Sequence, residues 1–102
     1  MKEIKNILKS LALILQNSGE SSSASFIEKA IKSGDKKIED LLISNELWGG
    51  AGSIADQACI GNKESRKELE LKLIELAEQQ QKIGFVNPRT ENWLHAFRNW
   101  DA

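Results

Sequence analysis

Apolar residues recur at helical rather than strand spacing through most of this 102-residue chain. Near the start they are three and four positions apart, which places them on one face of a helix from about residue 2 to residue 17. These residues are Ile4, Ile7, Leu8, Leu11, Ile14 and Leu15. We find no convincing alternating pattern of the kind a half-buried strand would show. The spacing therefore predicts an all-α protein.

Turn and capping residues mark where the next helices begin and end. The serines at 21–23 and 25 are candidate N-caps of a second helix, and Ser25 and Glu28 have the spacing of a capping box. Gly34 is expected to end that helix at the C′ position, and Asp35 to cap the third. These closely spaced start and stop signals favour short helices joined by tight turns.

The second half of the chain follows the same plan. The longest helix is expected over residues 64–83, with Gly84 ending it and Thr90 capping a last helix. A chain of this length supports one hydrophobic core. We therefore predict one domain over residues 1–102, a single compact bundle of five or six helices with a Gly-rich interhelical turn.

That turn follows Trp48, where three glycines, Gly49, Gly50 and Gly52, fall within four positions. An ordered glycine loses more conformational entropy than any other residue, so the run indicates a demand on the backbone. Ser53 and Asp56 then form a weak capping signal for a short helix reaching Ile60. Three interpretations stay open: a turn that admits Trp48 to the core, a loop that presents Trp48 to a protein partner, and an anion-binding turn.

Overall charge and hydropathy exclude several classes of protein. With 15 acidic and 14 basic residues the net charge is -1, so no overall field attracts nucleic acid or an anionic membrane. The longest apolar run, residues 11–15, is far shorter than the ~20 residues that span a bilayer. We expect an amphipathic N-terminal helix rather than a signal peptide. The single Cys59 fits the reducing cytoplasm, where we expect the protein to reside.

Residues 38–62 are the one segment whose charges have a single sign. The segment contains no lysine or arginine, and its four acidic residues are Glu39, Asp40, Glu46 and Asp56. The Gly-rich run lies inside it. A localised acidic surface there would speed encounter with a basic protein and orient it.

Few side chains in the sequence are suited to catalysis. Cys59 and His95 are the sole thiol and imidazole, and they would act as nucleophile and base only if the fold brought them together. One cysteine and one histidine cannot build a closed zinc site, so we expect no metal or cofactor. Trp93, Phe97 and Trp100 share a helix face that is predicted to be core, with Trp100 also a candidate for partner contact. We expect a protein that is not an enzyme.

The segment from Leu47 to Asp56 resembles a Gly-Gly-x-Gly-Ser-aliphatic-x-Asp element of small uncharacterised bacterial helical proteins. Those proteins look like the immunity proteins carried beside bacterial toxins. The resemblance implies a cytoplasmic inhibitor that binds a toxin, such as a basic nuclease, without performing chemistry. Its electrostatic contacts would be the four acids of residues 38–62, with Trp48 as an anchor. The alternatives are a structural module, and a regulatory domain binding a small ligand or anion at the turn from Gly49 to Ser53.

Overall fold

The computed structural model describes residues 2–49, 53–57 and 63–100, and over these ranges it is all-α. Five helices have eight or more residues: α1 (Lys2–Asn17), α2 (Ser21–Ser33), α3 (Asp35–Leu42), α6 (Lys63–Ile83) and α7 (Thr90–Trp100). Two further helices of four residues are α4 (Asn45–Trp48) and α5 (Ile54–Gln57). The prediction of an all-α bundle is confirmed.

The core forms where the apolar faces of the helices meet. Helix α1 packs against both α2 and α6, and α6 also packs against α7. The predicted stripe of α1 supplies Ile4, Leu8, Leu11 and Leu15, each at most 2% exposed. Helix α6 contributes Leu73 and Leu76, which are fully buried. Burying these faces is the main favourable contribution to folding, at ~25 cal/mol per Å² of apolar surface.

Two glycines end helices as predicted. Gly34 separates α2 from α3 with φ of 104°, and Gly84 follows α6 with φ of 74°. A side chain is strained at positive φ, because its Cβ approaches the carbonyl oxygen. Glycine therefore permits the chain to turn sharply at both positions.

Three predicted caps are wrong in detail. Ser25 lies inside α2, which begins at Ser21, so it does not form the start of a capping box. Asp35 is the first residue of α3 and Gly34 occupies the N-cap position. An acidic residue in the first turn still complements the helix dipole. The Thr90 hydroxyl accepts from the Asn87 backbone N–H at 3.1 Å, so it bonds back to the preceding turn rather than to its own helix.

The described helices give no candidate for a membrane span. Among them, none is both long and apolar enough to cross a bilayer.

Candidate functional site

The two described ends of the Gly-rich turn meet each other. Gly49 follows α4 and is buried, and Ser53 precedes α5 and is 4% exposed. The Ser53 hydroxyl donates to the Gly49 carbonyl oxygen at 3.0 Å. This hydroxyl bonds within the turn itself, so its geometry gives no support to an anion site built on Ser53. Gly50 and Gly52 lie outside the described residues.

Trp48 belongs to the core and is 0% exposed. Its indole Nε1 donates to Oε1 of Gln80 at 2.9 Å. The expectation that Trp48 anchors a partner is therefore wrong for this structure, because none of the side chain reaches the surface. Of the three interpretations of the turn, the structure agrees with the one in which Trp48 enters the core.

A second tryptophan, Trp93, bonds to the backbone where α4 ends and the Gly-rich turn begins. The Trp93 Nε1 donates to the carbonyl oxygens of Trp48 at 2.9 Å and of Gly49 at 3.1 Å. Trp93 also stacks on Phe97, with ring centroids 5.5 Å apart. Phe97 is 2% exposed and Trp93 packs against the core, which confirms the predicted core role of these two residues. Trp100 ends α7, and its side chain is outside the described set.

Gln80 and Asn87 complete this buried polar network, and the sequence interpretation missed both. Gln80 Nε2 donates to the carbonyl oxygens of Leu42 and Phe85, each at 3.0 Å. Asn87 Nδ2 donates to the carbonyl oxygen of Ile43 at 2.6 Å. Gln80 was detectable in the sequence, because it continues the buried face of α6 and so interrupts an apolar stripe with an amide. Such amides satisfy backbone groups that helix ends leave unpaired.

Replacing Gly49 with alanine is expected to lower the free energy of unfolding by about 1–3 kcal/mol through overpacking. A Cβ at this position would overlap the Asn45 carbonyl oxygen, to which the Gly49 N–H donates at 2.8 Å. Gly19→Ala is the comparison, because that site has open space around it but a φ of 85°. We expect Gly19→Ala to lower the free energy of unfolding by about 1–2 kcal/mol, from backbone strain alone. Urea unfolding measures both, and an unchanged stability for Gly49→Ala would show that α4 adjusts freely.

The acidic segment of the sequence does not form a surface of one sign. Asp40 and Glu46 are exposed and Glu39 is partly exposed. Asp40, however, pairs with Lys36 at 3.7 Å. Asp56 lies in α5, and its side chain is outside the described set. Lys36 lies one helical turn before Asp40 within α3, so the surface of this helix carries both signs of charge.

A surface groove of about 420 Å³ separates α2 from α3 and α4; we call it the α2–α3 groove. Its α2 side consists of Phe26, Lys29, Ala30 and Ser33. Its opposite side consists of Lys37, Asp40, Leu41, Ser44 and Glu46. Phe26 is 40% exposed and also borders two further depressions, one of them shared with Glu46. The groove thus combines an exposed aromatic ring with charges of both signs.

Sequence inspection did not single out Phe26 as a surface residue. Its neighbours Ala24 and Ile27 are fully buried, and they occupy the core face of α2. Phe26 falls outside that face, and a large apolar residue out of phase with the core stripe is the signal that could have identified it. Two of the predicted partner-binding residues, Asp40 and Glu46, lie in the same groove.

Of the candidate catalytic pair, only His95 lies within the described part of the chain. His95 is exposed on α7, where the Asn99 amide lies 3.2 Å from one ring nitrogen and 3.3 Å from the other. Cys59 lies outside the described residues. Over the ranges that the structure covers, no group of three or more His, Cys, Asp or Glu side chains is placed to hold a metal ion.

Comparison with known proteins gives no match to a family model, to a curated protein or to a solved structure.

Proposed function

We propose that this chain is a non-enzymatic protein-binding module that binds its partner through the α2–α3 groove. In this proposal the chain acts as an inhibitor of the immunity-protein type and covers the functional surface of a bacterial toxin. The contacts come from the groove residues Phe26, Asp40 and Glu46 and not from Trp48.

The observation that carries the proposal is the position of Phe26. Phe26 is 40% exposed and borders three surface depressions, while Leu41, which lines one of them, is 2% exposed. Aromatic side chains in well-packed pockets supply much of the energy of protein interfaces. A partly exposed ring next to a buried apolar floor has the form of such an anchor.

The charges around Phe26 narrow the kind of partner. Lys29 and Lys37 share the groove with Asp40 and Glu46. Two lysines and two acids leave the groove without net charge, so it offers no overall attraction to a uniformly basic surface such as the nucleic-acid face of a nuclease. The proposed partner therefore presents both acidic and basic groups around an apolar centre.

Replacing Phe26 with glutamate is expected to weaken partner binding by about 30-fold or more, because hot-spot changes cost ~2 kcal/mol or more. Leu13→Glu is the matched control, since Leu13 is an exposed apolar residue of α1 at 61% exposure and does not line the groove. The immobilised chain and both variants are incubated with lysate of the native host. The amount of each retained protein is then compared between the three. Circular dichroism of each variant checks that the helices are intact.

A protein retained by the wild type and by Leu13→Glu, and lost with Phe26→Glu, supports the proposal. Equal retention by all three proteins would remove the groove as the binding surface. The inhibitory role is then measured by adding the chain to the purified partner. The partner's activity is expected to fall to a constant minimum at one equivalent of the chain. Unchanged partner activity at saturation would show binding without inhibition.

A further inference from the structure

Three exposed apolar side chains lie where α3 ends and where α6 is followed by the turn before α7. Ile43 is 46% exposed, Ile83 is 51% exposed and Val86 is 43% exposed. They are three of the six large apolar side chains that the described residues expose. Single exposed apolar residues need no explanation, whereas several of them in one part of a small domain indicate a contact surface.

Hydrogen bonds bring together the two segments that carry these residues. The Asn87 side-chain amide donates to the Ile43 carbonyl oxygen at 2.6 Å, so Val86 lies beside the end of α3. The Gln80 amide bonds the backbone of both segments, and Ile83 follows Gln80 by about one turn of α6. The two segments therefore meet at a seam that buried amides hold together. We call Ile43, Ile83 and Val86 the seam patch.

The seam patch and the α2–α3 groove involve different faces of α3. Ile43 lies one turn after Glu39, and its N–H donates to the Glu39 carbonyl oxygen at 3.3 Å. The groove is lined instead by Lys37 and Leu41, each two positions before one of these residues. Residues two positions apart point about 200° away from each other around a helix. A partner in the groove therefore leaves the seam patch uncovered.

The two segments that meet at the seam carry opposite charges. Residues 38–49 contain no lysine or arginine, and their acids are Glu39, Asp40 and Glu46. Residues 79–90 contain no acid, and their bases are Lys82 and Arg89. The α3 side of the seam is therefore acidic, and the side formed by the end of α6 and the turn before α7 is basic.

Glu39 and Arg89 are the charges of each side that lie free of ion pairs beside the patch. Glu39 is one turn from the patch on α3, and the Arg89 backbone N–H donates to Oδ1 of Asn87 at 2.8 Å. Neither side chain forms an ion pair within the described ranges. Lys36 is one turn farther from the patch, and it is paired with Asp40 at 3.7 Å. Both sides thus present charge that a partner can pair.

We propose that the seam patch binds the seam patch of a second copy of this chain about a two-fold axis. A two-fold axis at the seam places the acidic side of each copy on the basic side of the other, so the Glu39 carboxylate of one copy meets the Arg89 guanidinium of the other. The apolar patch residues pack against each other at the axis. A partner with charge of one sign would match one side of the seam and be repelled by the other.

The size of the seam patch predicts a weak dimer. Stable interfaces bury about 800 Å² from each partner, more than three half-exposed aliphatic side chains provide. The buried amides hold the backbone at the seam in place, which limits the entropy lost on association. We therefore expect a dissociation constant of about 0.1–1 mM. This inference does not depend on the role proposed for the α2–α3 groove.

Dilution of the full chain from about 1 mM to about 20 µM tests the dimer, since this range spans the expected dissociation constant. Sedimentation is expected to change from mostly dimer to monomer, and the NMR shifts of amides at Ile43, Ile83 and Val86 should change with it. Val86→Glu should weaken self-association about 10-fold or more. Leu13→Glu is the matched control and should leave it unchanged. Circular dichroism of each variant checks that the helices are intact.

Charge reversal tests the two-fold pairing. Glu39→Lys and Arg89→Glu each place like charges across the axis twice, so each alone should weaken self-association about 3- to 10-fold at low salt. An equimolar mixture of the two variants should associate about as well as the wild type. In the mixed dimer the introduced lysine meets the introduced glutamate, and the native Arg89 meets the native Glu39.

A chain that stays monomeric at about 1 mM would overturn the proposal. Association that Val86→Glu leaves unchanged, or shifts confined to the α2–α3 groove, would overturn it as well. If the two charge variants associate no better together than apart, the two-fold arrangement is wrong and the proposed dimer with it. The binding role of the groove is tested separately by Phe26→Glu, which leaves the seam patch intact.

Discussion

Replacing Trp48 with alanine is expected to lower the free energy of unfolding by about 3–5 kcal/mol, the usual cost of removing a buried large aromatic side chain. Trp48 is 0% exposed, and its loss would also leave the Gln80 side-chain oxygen without its donor. Since a domain of this size is typically stable by only ~5–15 kcal/mol, the variant should be close to unfolding at 37 °C. Urea unfolding followed by circular dichroism measures the change.

Trp48→Phe separates packing from hydrogen bonding at this site. The phenyl ring fills most of the cavity but cannot donate to Gln80, so we expect an intermediate loss of about 1–3 kcal/mol. A loss below about 1 kcal/mol for Trp48→Ala would contradict the placement of Trp48 at the centre of the core.

Replacing Gln80 with leucine is expected to destabilise the protein by about 3–4 kcal/mol, although leucine is the more hydrophobic residue. Gln80 bonds the Trp48 indole N–H and the carbonyl oxygens of Leu42 and Phe85. Leucine would leave all three groups unpaired, and each buried unpaired group costs ~1–3 kcal/mol. Thermal and urea unfolding of the variant give the change in stability.

Gln81→Leu is the matched control, because Gln81 is the exposed neighbour of Gln80 on the same helix. Its effect should stay within about 0.5 kcal/mol. In a cycle with Trp48→Phe, the Gln80→Leu double variant should lose less than the sum of the single losses, since the two changes remove the same hydrogen bond. Strict additivity would show that the two side chains act independently.

The helices were largely predictable from the sequence because their determinants are local. The stripe of α1 and the glycines after α2 and α6 specify helix faces and ends through spacing and backbone freedom alone. Ser25 shows the limit of such local signals, since α2 begins at Ser21, behind Glu20 at the N-cap position, and no side chain there bonds the first turn. Thr90 shows another limit of local signals, because its hydroxyl accepts a hydrogen bond from the preceding turn instead of capping α7.

The site was less predictable because it depends on which distant segments meet. Trp48 and Gln80 are 32 positions apart, so nothing local indicates whether the tryptophan is bonded inside or presented outside. The acidic segment is a second example, because part of the charge around its acids comes from another helix. Lys29 of α2 lies across the groove from these acids, whereas the pair of Lys36 with Asp40 is local, one turn apart within α3.

The buried network and the groove share one part of the fold. Gln80 holds the end of α3 through the Leu42 carbonyl, and Asn87 holds the next residue through the Ile43 carbonyl. The α3 side of the groove is therefore attached to α6 and to the turn that follows it. This attachment gives the groove one rigid side, which reduces the entropy lost on binding a partner.

Hydrogen exchange of the full chain, alone and with the partner that it retains from lysate, shows where that partner binds. We expect slower exchange of amides in α2 and α3, with peptides from the face around Leu13 unchanged. The same protection should be absent with Phe26→Glu. Protection confined to other helices, with α2 and α3 exchanging as in the free chain, would contradict the assignment of the α2–α3 groove as the binding surface.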